Sequence, residues 1–269
     1  MPRIALGIEY DGSAFSGWQA QPHAPSVQSA VEAALTQVAD HPVAVVAAGR
    51  TDAGVHAAMQ VVHFDTAAAR TERNWMLGAN SGLPLQVSVL WAREVPEAFH
   101  ARFGALARSY RYFIFNRGPR PALLSQRASW VRDALDHERM HAASQHLLGQ
   151  HDFSSFRAAE CQAHSPLRHV HAIAVGRNGE FLEIAVTANA FLHHMVRNIA
   201  GVLIAIGCGD RPVEWVDEVL AARDRRCAGV TAPPQGLYLT GVRYAAALQL
   251  PSEAGEIFPA ACPVRRDQV

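Results

Sequence analysis

The chain has 269 residues, 49% of them hydrophobic, with 24 basic and 24 acidic side chains and a formal net charge of zero. That size predicts a stable globular protein of one large domain or two ordinary ones, each with its own core. Every basic residue is an arginine, which excludes Schiff-base chemistry, pyridoxal phosphate attachment and the Walker-type phosphate loop, all of which need a lysine amine.

Residues 3–10 alternate Ile4, Leu6 and Ile8 with smaller or polar partners, the pattern of a strand, and run into an Asp11-Gly12 turn. Residues 26–40 carry Val27, Ala30, Val31, Ala34, Leu35 and Val38 at helical spacing, with Ser26 placed to cap the helix. Residues 43–48 and 60–65 read as strands, 71–80 as a helix and 86–93 as extended, an α+β half rather than a βαβ repeat. A second half starts near residue 107 with a strand containing Tyr110, Tyr112 and Ile114. It continues with helices at 136–148, 192–206 and 214–222 and strands at 170–175, 181–187 and 237–244. The division predicted is thus 1–106, 107–244 and a loose tail at 245–269, which contains Pro251, Pro259 and Pro263. Glu9, Asp11 and Gly12 interrupt the first twenty residues, against a signal peptide, and the apolar stretch 199–208 is too short to span a bilayer. The four cysteines lie far apart with no Cys-x-x-Cys pair. A cytoplasmic, reduced protein without membrane attachment is expected.

The most specific stretch is Gly49-Arg50-Thr51-Asp52-Ala53-Gly54-Val55-His56-Ala57. It sets a carboxylate and an arginine between glycines at the end of the strand predicted at 43–48. Glycine permits tight turning or the close approach of a backbone or ligand, so Asp52 stands where a ligand can touch it. Local chemistry alone favours for Asp52 an Asx turn on its own backbone. Between residues 98 and 132 lie seven arginines, including Arg108 and Arg111, and no acid; the segment projects a local positive field suited to RNA in an otherwise neutral chain. Arg197 falls within the apolar helix at 192–206, where a guanidinium needs an acidic partner or a route to solvent. Tyr110 and Tyr112 are alternate residues on one strand face and Leu237 is apolar, so all three also read as core. Fourteen histidines invite a metal hypothesis, but the groups His63-Phe64-Asp65, His169-Val170-His171 and His193-His194 lack the His-Glu-x-x-His spacing, and no metal is expected.

The nine-residue block resembles the signature of tRNA pseudouridine synthases of the TruA type. The similarity continues through Ile8 to Ser13 with Gly17-Trp18-Gln19, His100 to Phe103, Arg108 to Tyr112, Asp152 to Arg157, Asn189 to Asn198 and Gly236 to Leu239, in family order. The resemblance implies two α/β halves sharing a mixed, mostly antiparallel sheet with a central RNA-binding cleft, a homodimer, and no metal or organic cofactor. It implies that Asp52 is the catalytic residue and that Arg197 pairs with it. It further implies that Arg50 helps flip the target nucleotide or holds its phosphate, that Tyr110 stacks on the uracil and that Leu237 lines the base pocket. The expected activity is isomerisation of uridine to pseudouridine at positions 38, 39 and 40 of the tRNA anticodon stem and loop. The alternatives are a non-catalytic RNA-binding protein on the same scaffold, which the arginine segment would suit, and a metal-dependent hydrolase, which rests on histidine count alone.

Overall fold

A computed structural model describes residues 1–255, with ten strands and five α-helices among them. The chain divides into two compact units, one of residues 1–106 with 238–255 and one of residues 107–237. The last strand, predicted to close the second half, therefore lies almost wholly in the first unit.

The first unit contains β1 (Arg3–Tyr10), α1 (Val27–Ala39), β2 (Val46–Ala47), β3 (His56–Asp65), α2 (Glu72–Gly82) and β4 (Val87–Val95). Its central strand β3 pairs antiparallel with β1, and β1 pairs antiparallel with β4. Antiparallel β2 and the parallel strand β10 (Leu237–Arg243), through Tyr238 and Leu239, also pair with β3. β3 is buried along nearly its whole length, as a strand covered on both faces must be. Ser26 caps α1 through the Ser29 amide and Thr71 caps α2 through that of Asn74, each satisfying an otherwise orphan donor.

The strand predicted at 43–48 shrinks to Val46–Ala47. Pro42 has no amide to give, and two helix side chains take the next ones: the Val43 amide donates to Thr36 Oγ1 at 3.1 Å and that of Val45 to Glu32 Oε1 at 3.0 Å. Val43 and Val45 are nevertheless buried, so the apolar run belongs to the core without joining a ladder. β3 in turn starts four residues earlier than predicted, inside the signature block.

The second unit contains β5 (Ala107–Asn116), β6 (Ser129–Val131), α3 (His137–Gln145), β7 (Gly149–Asp152), β8 (Leu167–Asn178), β9 (Phe181–Ala188), α4 (Met195–Gly207) and α5 (Trp215–Ala222). Its strands run β5-β9-β8-β7, all antiparallel, with β6 parallel to β5. β6 and β7 are strands that sequence reading missed; one has three residues and the other, Gly-Gln-His-Asp, has no apolar alternation. α4 opens at Met195, not Leu192, because His194 at its cap is left-handed, φ +62°. The tail predicted as loose folds back over residues 245–255: the Val242 amide donates to the Ser252 carbonyl and the Ala254 amide to that of Thr240, both at 2.9 Å. The remainder of that tail, 256–269, lies outside the described residues. No helix among the described residues is long and apolar enough to cross a membrane.

One histidine of the first unit couples its stability to pH. His63 on β3 is buried, and its Nδ1 accepts from the Ala101 amide at 3.1 Å. Burial above all, then the Arg3 and His100 charges, push its pKa down to about 4. A lowered pKa means that the unfolded chain takes up the proton first. The His63 contribution is therefore complete above about pH 6.5 and declines as pH falls towards 4, by at most about 3 kcal/mol and less where solvent screens the ring. Urea titrations between pH 7 and 4 should show this decline, and His63→Asn should flatten it.

Candidate active site

The signature loop is held from both sides by its own unit. From β3, the Gln60 amide group donates to the Gly49 carbonyl at 2.6 Å, and the Ala48 amide donates to Val61 at 2.8 Å. From the end of β1 and the segment after it, the hydroxyls of Tyr10 and Thr51 lie 2.7 Å apart, the Trp18 amide donates to the Thr51 carbonyl at 3.0 Å, and the Gly12 amide donates to His56 Nδ1 at 3.1 Å. The loop then turns through a bond from the Val55 amide to the Asp52 carbonyl, 3.1 Å, with Gly54 at φ +76°, where a side chain would be strained. The His56 ring stacks on Tyr238 at 4.6 Å. Thr51, Val55 and His56 are buried, Asp52 is half-buried and Arg50 is exposed. Asp52 is thus a carboxylate at the edge of solvent on a backbone with little freedom to move, able to add to a bound base or take a proton from it.

Two glycines allow the clasp. A Cβ on Gly12 would stand 1.9 Å from the Val55 carbonyl oxygen, and one on Gly17, at φ +100°, 2.8 Å from that of Thr51. Both are backbone atoms, so the loop would have to move. Gly12→Ala is expected to destabilise the protein by about 1–3 kcal/mol and to slow single-turnover product formation more than it weakens RNA binding; thermal melts and rapid-quench assays check the two effects.

In the second unit, β5 carries Arg108, Tyr110 and Tyr112 on one face and Arg111 on the other, as the two-residue period requires. The Tyr110 ring is buried and meets Phe191 edge-on at 5.0 Å. Arg108 Nη1 donates to the Asn189 carbonyl at 3.0 Å. Arg111 Nη1 donates to Glu183 Oε1 at 2.7 Å, and Glu183 is 0% exposed. Arg111 is thereby committed to a buried carboxylate, a constraint invisible in the sequence because Glu183 lies on the neighbouring strand.

Arg197 projects from the first turn of α4 and is stitched to the segment before β10. Its Nε donates to the Ala232 carbonyl at 2.8 Å, and the Ala232 amide returns to the Arg197 carbonyl at 3.1 Å. The next residue, Asn198, is fully buried: its Nδ2 donates to Phe156 at 2.6 Å, and its Oδ1 accepts from Thr231 at 2.7 Å and Arg225 at 3.1 Å. One residue beyond Ala232, the Pro233 carbonyl accepts from the Tyr112 hydroxyl at 2.9 Å, and that hydroxyl is also bonded to Ser129. Burial pushes the Tyr112 pKa well above the ordinary tyrosine value, although the Ser129 bond and the Arg197 charge pull the other way. Tyr112 is therefore a neutral post under the loop. Leu237 follows this segment and is buried. The second unit thus gathers Tyr112, Arg197 and residues 231–233 into one bonded network. Gln60, Asn198 and Arg225, on which these two arrangements depend, were not singled out from sequence; buried polar residues beside a signature were the available signal.

The family profile described as tRNA pseudouridine synthase matches residues 7–104 and 143–245, and so includes the signature loop, α4 and β10. The chain belongs to the tRNA pseudouridine synthase family. Among relatives named tRNA pseudouridine synthase A, it is 58% identical to that of Nitrosococcus oceani over 93% of this chain and 96% of the relative. It is 58% identical to that of Methylococcus capsulatus over 90% and 89%, and 56% identical to that of Pseudomonas aeruginosa over 93% and 88%. Membership in the pseudouridine synthases agrees with a mixed, mostly antiparallel α+β architecture.

Proposed function

We propose that this protein is an isomerase that converts uridine to pseudouridine in tRNA, at positions 38, 39 and 40 of the anticodon stem and loop, with Asp52 as its catalytic carboxylate. The observation that carries this reading is a half-buried Asp52 on a loop fixed from both β3 and the segment after β1. The reaction breaks the bond between ribose C1′ and uracil N1, turns the base and joins C1′ to C5. The C5 proton leaves and N1 gains one, so neither an oxidant nor a cofactor enters the balance. The target nucleotide has to leave its stack to be reached. In this reading Arg50, exposed beside Asp52, assists that flip or holds the phosphate. Tyr110 stacks on the uracil, an interaction worth about 1–3 kcal/mol for an extruded base. Arg197, fixed by Ala232, is the cationic partner of Asp52, and Leu237 walls the base pocket. Arg108 and Arg111 add positive charge along the RNA, Arg111 while still paired with Glu183. The protein works in the cytoplasm as a homodimer.

The test is conversion of an unmodified tRNA transcript by purified protein in the presence of a chelator, with base-resolution mapping of the product. Pseudouridine confined to positions 38–40 is expected. Tight binding with no product would overturn the reading in favour of a non-catalytic tRNA-binding protein, and product elsewhere would overturn the site assignment.

A further inference from the structure

The turn between β4 and β5 has a densely hydrogen-bonded backbone and an exposed aromatic tip. Arg3 Nη1 donates to the carbonyls of Glu97 and Phe99, both at 2.6 Å. The Ala101 amide donates to His63, and its carbonyl accepts from the Tyr244 hydroxyl at 2.7 Å. His100 Nδ1 accepts from the amides of Arg102 and Phe103, both at 3.2 Å, the Gly104 amide donates to the His100 carbonyl at 2.8 Å, and the Leu106 amide donates to Arg243 at 2.8 Å. Such bonding leaves the turn little backbone entropy to lose on binding. At its tip Phe103 is 77% exposed, while the other exposed aromatic among the described residues, Trp130, is 38% exposed and has its indole nitrogen bonded to the Arg117 carbonyl. The Phe103 ring rests on His100 with centroids 4.5 Å apart, and the Arg102 guanidinium carbon lies 5.5 Å from its centroid.

Scattered exposed leucines need no explanation. A rigid phenyl ring backed by an imidazole and flanked by a guanidinium differs from them, because it offers a π-surface beside a phosphate-binding cation. We propose that Phe103 is a stacking platform for an unpaired nucleobase of the tRNA, outside the catalytic machinery, with Arg102 taking the adjacent phosphate. The assignment rests on the tRNA reading above. The partner is an unstacked base rather than a duplex arm, since bases within a helix present edges and not faces.

The test is equilibrium binding of the full chain and its Phe103 variants to an unmodified tRNA transcript and to a blunt RNA duplex. Phe103→Ala should weaken tRNA binding about 5- to 100-fold, Phe103→Trp should hold it within about twofold, and duplex binding should be the same for all three proteins. Equal tRNA affinity of the Ala variant overturns the platform. A loss of affinity accompanied by a smaller sedimentation mass of the free protein also overturns it, by assigning the ring to a contact between copies of the chain. Loss of affinity by Phe103→Ala in a protein that makes no pseudouridine would retain the platform and refute the isomerase reading. Product formation with unaltered binding would do the reverse.

Discussion

Asp52→Asn and Asp52→Ala lower pseudouridine formation by on the order of 10⁴-fold or more, because a residue that bonds to the reacting base or moves its proton has no substitute in a neutral side chain. The loss falls on kcat, not on tRNA affinity, since removing a negative charge next to a polyanion does not weaken its binding. The fold survives. The loop is held by Gln60, Tyr10, Gly12 and Trp18 through the backbone of residues 48–51 and the side chains of Thr51 and His56, none of which the substitution alters. Melting should therefore change by no more than about 1 kcal/mol. Single-turnover assays with base-resolution mapping, beside thermal melts and binding isotherms, check all three statements. Substantial turnover by either variant removes Asp52 from the mechanism.

The second large effect is on stability. Arg111→Gln removes the guanidinium bonded to Glu183, which has no exposure to water, and breaking a buried pair by removing one partner costs at most about 3–5 kcal/mol. Glu183→Gln alone is milder, because Arg111 is 27% exposed and can turn to solvent. The double variant should recover most of the loss, as buried ion pairs replaced on both sides often do. Urea unfolding of the four proteins measures the coupling. Arg108→Gln, which leaves the Arg111–Glu183 pair intact, should lower the salt dependence of tRNA binding by about one phosphate contact.

Sequence legibility followed locality. Strand β1 and helix α1 were readable because alternation, helical spacing and the Ser26 cap are local signals. The strand at 43–48 failed because Thr36 and Glu32, on α1, claim its amides, and a one-dimensional pattern contains no such competition. β7 has no hydrophobic period, and β6 is too short to show one. The site was legible as a motif, with Asp52 and Arg50 in one block, and its supports were not. Tyr10, Gly12 and Trp18 stand some forty residues from the carboxylate loop they secure, and Arg225 reaches Asn198 only through the fold.

The first unit is closed by residues made after the whole second unit. β3, which carries His56, obtains its parallel neighbour only when Tyr238 and Leu239 arrive. At ~5–20 residues per second of translation the nascent β3 edge stays open for about 10–40 s, and an unpaired apolar edge is a template for wrong partners. Folding of the half that holds Asp52 is therefore completed only after the second unit's own strands have been synthesised.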